Sequence, residues 1–223
     1  MNGRDVVLGK VRRALGVSEA DDARKSAVAA RLAAPQRNTI PARGQLDREG
    51  RVALFSRMAE AVAATVERLP SADDVPQAIA RYLRGHNLPL EVRTGSDAAL
   101  AALPWAREPH LERLEGPSVG RDAVSVSHAF AGVAESGTLV LASGPDNPTT
   151  LNFLPDTHIV MLTADDVAGD YETVWARMRE RYGAGALPRT TNLVTGPSRS
   201  ADIEQTLILG AHGPRALHIL VVG

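Results

Sequence analysis

The sequence predicts an α/β fold, with a mainly parallel sheet flanked by helices and a helical N-terminal region. From residue 88 onward, short apolar runs typical of buried strands alternate with segments of helical periodicity. Before residue 88 the chain is dominated by helix-prone segments. Hydrophobic residues make up 44% and charged residues 23% of the 223 positions, as in an ordinary soluble globular protein.

Residues 1–45 are predicted to form a helical arm followed by a linker. The first 16 residues have the pattern of a short amphipathic helix, and Ser18 with Asp21 can open a second helix as a capping box. Residues 34–45 contain two prolines and one glycine without periodicity, which indicates the linker. The arm carries nine basic and four acidic residues, whereas the remainder carries 16 and 22. Such an arm can dock on its own acidic body or on a partner, or it is a solvated tail.

The α/β body is predicted to span residues 46–223. Five apolar residues between Phe55 and Leu69 recur at spacings of three or four, so one helix is predicted to cover that stretch. A second helix is predicted from Ser71 to about Gly85, and a third in the later part of ADDVAGDYETVWARMRERYG. A short helix is predicted in SDAALAAL. The strand predictions, in chain order, are LPLEVRTG, AVSVSHAFAG, GTLVLAS, THIVMLT, TTNLVTG and ALHILVVG.

Composition excludes several classes of protein. The net charge of −1 provides no basic field for general nucleic-acid binding. No apolar run approaches the roughly 18 residues of a membrane span, so a cytoplasmic protein is expected. The sequence has no cysteine and therefore no thiolate nucleophile, disulfide or cysteine-held iron–sulfur cofactor. If the protein takes part in electron transfer, another chain must carry the redox centre.

Polar turns follow several of the predicted strands, at residues 94–97, 143–147, 163–166 and 195–199. Because the carboxyl ends of parallel strands converge, we predict that these turns form one crevice. Glycine turns and helix starts present backbone N–H groups that hold anions, so the expected ligand is a small anion. In the alternative interpretation the same residues only cap helices. The candidate ligand-binding residues are Gly137, Asp146, Asn147, Gly196, Ser198, Arg199, Asp202 and Glu204.

Three of these candidates have more specific expectations. Arg199 would add a charged donor beside the backbone N–H groups of a Gly-Pro-Ser turn. Asn147, followed by Pro148, is predicted to cap a short helix over residues 148–154. Asp202 is either a ligand contact or a cap. The His-Gly-Pro turn at 212–214 is expected to reverse the chain into the last strand.

Glu135 and His212 are the candidate catalytic residues. Glu135 precedes a Ser-Gly turn and a buried-type strand, where a desolvated carboxylate can act as nucleophile or general base. It can equally accept backbone N–H bonds and shape the turn. His212 and His128 lie beside polar turns, whereas His158 and His218 are expected to be buried and hydrogen-bonded in strands. No histidine pair has a metal-binding spacing, so no metal site is predicted. A metal site of His128, His212, Asp202 and Glu204 is a further alternative.

Three segments resemble the signature blocks of the LUD-domain family, in particular its lactate-utilisation protein C group: AESGTLVLASGPDN, LPDTHIVML and TGPSRSADIEQTLILGAHGPRALHILVV. The resemblance covers roughly residues 88–223. It implies a fold similar to the ribose-phosphate isomerase, CoA-transferase and 5-formyltetrahydrofolate cyclo-ligase group. It also implies a role with two partner proteins, one cysteine-rich and one carrying iron–sulfur clusters, in oxidising L-lactate to pyruvate.

Three functions are therefore considered. The first is a non-redox subunit of a multi-protein L-lactate utilisation system that binds a small anionic ligand at the strand-end turns. The second is a stand-alone acyl-transfer or ATP-dependent ligase-type enzyme, with Glu135 as nucleophile or base and His212 or His128 moving protons. CoA-transferases of the resembled fold group use a glutamate in a Ser-Glu-Asn-Gly-like turn, and Ser136 departs from that pattern here. The third is an interaction scaffold that recruits a partner through its basic arm.

Overall fold

A computed structural model describes residues 2–18, 21–183, 185–200 and 208–223 of the chain. The chain divides into two compact units, Met1–Asn38 and Thr39–Gly223. Two predicted site residues, Asp202 and Glu204, lie outside the described residues.

The described residues form six α-helices and twelve β-strands. The helices are α1 (Gly3–Leu15), α2 (Asp22–Ala33), α3 (Arg48–Glu60), α4 (Val75–Gly85), α5 (Ala98–Ala101) and α6 (Tyr171–Tyr182). The first six strands are β1 (Thr65–Leu69), β2 (Glu91–Thr94), β3 (Glu112–Glu115), β4 (Val124–His128), β5 (Ala131–Val133) and β6 (Thr138–Ala142). The last six are β7 (Thr157–Thr163), β8 (Val167–Ala168), β9 (Thr191–Val194), β10 (Arg199–Ser200), β11 (Ile208–Leu209) and β12 (Ala216–Val222).

The N-terminal unit consists of α1 and α2. The side chain of Asn2 caps α1 by accepting a hydrogen bond from Arg4 N (3.2 Å), and the helix ends at Gly16 with φ 62°. Asp21 caps α2 through Arg24 N (3.1 Å). The predicted helical N-terminal region is confirmed. None of the described helices has the length and apolar composition that a bilayer crossing requires.

The second unit is built on a six-stranded sheet with the strand order β1-β12-β7-β4-β2-β3. Every neighbouring pair in this sheet is parallel. Parallel pairing requires crossover connections, and α4 and α5 lie within two of them. The predicted α/β fold with a mainly parallel sheet is therefore confirmed.

A second sheet of four strands, in the order β8-β5-β6-β9, is the feature that the strand patterns did not predict. In it β6 runs antiparallel to both of its neighbours. The prediction of one strand over AVSVSHAFAG is wrong, because β4 belongs to the first sheet and β5 to the second. Between them, Ala129 N bonds Met161 O in β7 and Phe130 N bonds Val140 O in β6, each at 2.9 Å.

The core is divided by the two sheets into layers. One face of the six-stranded sheet packs on α4 and α5, through buried residues that include Ile79, Leu100 and Ile159. The opposite face packs on α3 and the second sheet, through residues that include Phe55 and Leu139. The outer face of the second sheet is covered by α6. Consecutive residues of β7 point to opposite faces, as strand geometry requires.

The predicted helix over residues 55–69 is too long. The structure ends α3 at Glu60 and places Thr65–Leu69 in β1, at the edge of the six-stranded sheet. The helix stops because Ala63 adopts a left-handed backbone (φ 67°) and Ala64 N bonds back to Ala59 O (3.1 Å). The apolar spacing was misleading because Val66 and Leu69, which lie in β1, continue by coincidence the spacing of three and four residues that begins in α3.

The predicted cap at Asn147 is also wrong. The helix over 148–154 is a short 3₁₀ turn at Thr149–Asn152, and no side chain caps its start. Instead, Asn147 Nδ2 donates to Ala142 O (3.2 Å) and closes its own loop after β6.

Gly137, in the turn between β5 and β6, provides a test of how the second sheet docks on α3. It has φ 66°, and a Cβ at this position would lie 2.6 Å from the carbonyl carbon of Met58. Because both the backbone conformation and the contact exclude a side chain, Gly137→Ala is expected to lower the free energy of unfolding by about 3 kcal/mol. Thermal or urea unfolding measures this change. Gly85→Ala is the control, since a Cβ on Gly85 meets nothing within 4 Å; a loss of equal size there would contradict the docking argument.

Candidate functional site

Two turns near the C-terminal end of the chain, at residues 196–198 and 212–214, are joined through Ser198. Its backbone N donates to Pro214 O (2.8 Å), and its carbonyl oxygen accepts from Gly210 N (3.0 Å). Its hydroxyl oxygen accepts from His212 N (3.3 Å). The Gly-Pro-Ser turn at 196–198 and the His-Gly-Pro turn at 212–214 therefore form one rigid rim.

This rim is fixed to the region after α3 by two neighbouring residues. Gly196 is buried with φ 75°, and a Cβ there would overlap the carbonyl oxygen of Val62. The Arg199 guanidinium donates a hydrogen bond to the same carbonyl through Nη2. The glycine allows the close approach, and the arginine holds the loop in place while its head remains at the exposed surface.

A cavity of about 250 Å³ lies beside this rim and is called here the amino-end cavity. It borders the first residues of β7 and β12, at the amino ends of the parallel strands. Of the described residues that line it, none is Asp or Glu. Its polar lining is provided by Asn152, His158, Thr195, Ser198, Arg199 and His212.

A buried hydrogen-bond chain forms part of the wall of the amino-end cavity. His158 Nε2 lies 3.0 Å from Ser127 Oγ, which in turn donates to Asn152 Oδ1 at 3.3 Å. Ser125 Oγ donates to Leu151 O (2.6 Å), so two serines of β4 hold the 3₁₀ turn that carries Asn152. Among the described residues, His158 Nδ1 has no hydrogen-bond partner.

His158 is neutral at physiological pH. The ring is fully buried, and burial lowers its pKa to about 3. The sequence-based expectation that His158 is buried is confirmed, and among the described residues only one of its ring nitrogens, Nε2, has a hydrogen-bond partner. Its polar neighbours Ser127 and Asn152 were not among the predicted site residues. A polar residue interrupting an apolar strand was the signal available in the sequence.

A second cavity, of about 480 Å³, lies at the carboxyl ends of the parallel strands and is called the carboxyl-end cavity. Asp146 and Asn147 line it, together with residues that follow β2, β4 and β7. Three of the four predicted polar turns therefore do meet there. The main charged and aromatic side chains around it are Asp97, His128, Phe130, Asp146, Asp166, Arg181 and Tyr182.

Asp97 and His128 form a pair in the carboxyl-end cavity. Asp97 Oδ1 lies 3.2 Å from His128 Nδ1 and also caps α5 by accepting from Ala99 N (2.9 Å). Burial opposes ionisation of Asp97, but its hydrogen bonds from His128 and from the α5 backbone outweigh burial and lower its pKa. The carboxylate orients the imidazole, as in sites where a histidine transfers protons.

Glu135 and Gly137 line neither the amino-end nor the carboxyl-end cavity. The Glu135 side chain is buried and accepts a hydrogen bond from Tyr171 N (3.3 Å) at the start of α6, and its own N donates to Gly169 O (3.2 Å). Of the two interpretations of this residue, the geometry matches the one in which it shapes the turn. Gly137 lies against the α3 backbone, which leaves no room for a ligand.

The prediction of one anion-binding crevice is wrong. Arg199 and Ser198 line the amino-end cavity, whereas Asn147 and Asp146 line the cavity at the opposite end of the six-stranded sheet. The reason is strand direction: β9 belongs to the second sheet and runs antiparallel to β6, so their following turns point to opposite ends. Gly196 and His212 line the amino-end cavity together with Arg199. Among the described residues, no cluster of His, Asp and Glu is arranged to hold a metal ion.

Comparison with protein families places this geometry in a known context. The family model of the LUD domain matches residues 52–222 of the sequence. This range is most of the chain and includes both cavities. The chain belongs to the LUD-domain family. The family assignment expected from the three sequence blocks is thereby confirmed, and two of those blocks line the amino-end cavity of this LUD domain.

Individual relatives match this LUD domain over part of their length. A lactate utilization protein C from Geobacillus thermodenitrificans is 35% identical over 134 residues, 56% of each chain. The protein of that name from Bacillus subtilis strain 168 is 34% identical over 116 residues, 51% of this chain and 46% of its own. An uncharacterized protein of Neisseria meningitidis serogroup B is 38% identical over 96 residues, 43% of this chain and 40% of its own. The chain thus spans about half the length of the curated relatives that it matches.

A solved structure has a similar fold. The crystal structure of a DUF162 family protein from Deinococcus radiodurans aligns with a TM-score of 0.57 and 22% identity. The alignment covers 80% of this chain and 99% of that one. At this identity the likeness concerns the fold alone.

Burial of His158 predicts how the stability of this LUD domain depends on pH. Between about pH 6.5 and the folded-state pKa of about 3, unfolding lets this imidazole take up a proton. The free energy of unfolding should therefore fall as the pH is lowered, by about 1.4 kcal/mol per pH unit for this one group. His158→Gln removes the group and should reduce the loss of stability between pH 6.5 and 5 by about 2 kcal/mol, measured by urea unfolding.

The matched control is His110→Gln, which removes an exposed histidine. This variant should keep the pH dependence of the wild type. If the His158 variant also keeps it, the imidazole is not held neutral by the fold.

Proposed function

We propose that this LUD domain takes part in L-lactate utilisation as a non-redox component and binds a small anionic ligand in the amino-end cavity. The names of its curated relatives support the physiological part of the proposal. The ligand site is inferred from one observation. The cavity is small, has an arginine on its rim, and has no carboxylate among its described lining residues.

Charge and size both favour a small acid as the ligand. Arg199 provides guanidinium donors that match a carboxylate, and Ser198 is held rigidly beside it by three hydrogen bonds. Ligand cavities in proteins commonly measure about 300–1,000 Å³, so about 250 Å³ suits a metabolite of few heavy atoms. A carboxylate entering this cavity would meet no like charge from the described residues that line it.

The redox chemistry of lactate oxidation is assigned to partner proteins. Removal of two electrons from lactate needs an acceptor, and the 223 residues contain no cysteine to hold an iron–sulfur cluster. We place the electron acceptors in a cysteine-rich and an iron–sulfur partner of a multi-protein system. In that system this chain would bind the acid without carrying the electrons.

Arg199→Gln tests the ligand site. A thermal-shift screen should show stabilisation of the wild type by short carboxylates rather than by CoA esters, nucleotides or divalent metal ions, because a ligand of the folded state raises apparent stability. Loss of a charged hydrogen bond should weaken carboxylate binding by about tenfold or more in the variant.

Arg189→Gln is the control for this experiment. Arg189 is exposed and lines a different surface cavity, with Ser143 and Thr190, so the variant makes the same charge change away from the site. Equal carboxylate binding by the two variants, or a wild type that no carboxylate stabilises, would contradict the proposal.

A stand-alone enzyme of acyl-transfer or ATP-dependent ligase type is the second candidate, favoured by the Asp97–His128 pair in the carboxyl-end cavity. This function predicts that the purified chain alone turns over a CoA thioester or ATP. His128→Gln should then reduce kcat by about 10² or more, because the proton carrier is lost. Glu135→Gln should retain activity, since its amide oxygen can still accept from Tyr171 N. Absence of turnover with both substrate classes would exclude the enzyme.

A further inference from the structure

The six-stranded and four-stranded sheets have four outer strands between them, and three of these have features that oppose pairing with a further strand. β1 and β3 carry charged residues, among them Arg68 and Glu112. β8 has only two residues, and the backbone of Gly44 packs against Gly169 directly after it. Charges, short length and covering segments are common ways in which proteins protect strand edges.

β9 is the fourth outer strand and has none of these features. Its sequence, Thr-Asn-Leu-Val, contains no charged residue. It pairs with β6 on one side and with no described strand on the other. Leu193 is 47% exposed, although Val140, its partner in β6, is buried in the core under α6. The second sheet is therefore left with an uncharged edge that carries an exposed leucine.

The hydrogen bonds of β9 show which backbone groups this edge presents. Antiparallel strands alternate between residue pairs that exchange hydrogen bonds and pairs that do not. Ser143 N donates to Thr190 O (2.9 Å), which makes these two residues a hydrogen-bonded pair. The ladder then bonds every second residue of β9 to β6. Thr191 and Leu193 are the residues skipped, so their N–H and C=O groups point outward, where no described group bonds to them.

A second copy of β9 is a matching partner for this edge. If the copies run antiparallel about a two-fold axis at Asn192, Thr191 of each copy lies opposite Leu193 of the other. Both pairs are then of the hydrogen-bonded kind, so all the outward N–H and C=O groups of these residues gain partners. The paired segments contain no charge, so no like charges are brought opposite each other.

We propose that the β9 edge is a homodimer interface, at which two copies of this chain join their four-stranded sheets into one continuous sheet. The interface buries the exposed Leu193 side chain of both copies. Its two-fold symmetry closes the assembly at two chains, because neither β9 edge is left for a third. The interface is a surface without a ligand, so it is independent of the proposed function.

Leu193→Lys tests this interface. Two introduced charges would lie close together across the two-fold axis, and lysine on an edge strand opposes pairing. Analytical ultracentrifugation should show a dimer for the wild type and a dissociation constant raised about tenfold or more for the variant. Leu46→Lys is the matched control, since Leu46 is 43% exposed and lies in the segment that packs beside β8. This control should remain a dimer.

Thr191→Pro tests the backbone bonds without adding charge. The N–H of Thr191 points away from β6, so proline removes an outward donor and leaves the ladder with β6 intact. At concentrations where the wild type is a dimer, this variant should sediment as a monomer. Circular dichroism of the variants checks that each retains the fold.

Amide hydrogen exchange of the wild type measures the pairing without any substitution. The N–H groups of Asn192 and Val194 bond to β6 and should be protected at every protein concentration. Those of Thr191 and Leu193 should become protected only as the concentration rises and the dimer forms.

The outcomes decide the proposal even if a variant fails to fold. A wild type that sediments as a monomer overturns it, and so does a dimer that either folded variant leaves intact. A dimer in which the amides of Thr191 and Leu193 exchange as fast as in the monomer overturns it as well. Concentration-dependent protection of these two amides, with Leu46→Lys still dimeric, supports it.

Discussion

The architecture depends on the point where the chain passes from one sheet to the other, at Ala129 and Phe130. Ala129 N bonds to β7 of the six-stranded sheet, and Phe130 N bonds to β6 of the second sheet. Two adjacent residues thereby fix the position of the second sheet over the first. Side chains of both sheets pack in one core with side chains of α3, and this core includes Phe55 and Leu162. Gly132, in the middle of β5, has no room for a side chain, because a Cβ there would collide with Leu162 and Phe55.

This arrangement decides which polar residues can act together. Parallel strands bring the turns after β2, β4 and β7 to one end, where Asp97 and His128 meet. The antiparallel pairing of β6 with β9 sends the Gly-Pro-Ser turn to the other end, beside the start of β7. The two cavities are therefore separate and have different linings. The carboxyl-end cavity is lined by several carboxylates. The described lining of the amino-end cavity contains an arginine and two histidines but no carboxylate.

Sequence patterns predicted local structure and the family better than they predicted the site. Four of the six parallel strands and the main helices follow from periodicity, but β3 was not predicted as a strand, and periodicity could not separate the end of α3 from β1. Strand direction in the second sheet is set by tertiary packing. No local sequence pattern could therefore indicate that Arg199 and Asn147 lie at opposite ends of the six-stranded sheet. His158 was expected to be buried, yet a sequence does not show whether both ring nitrogens find partners. That property depends on Ser127 and Asn152, which come from other segments.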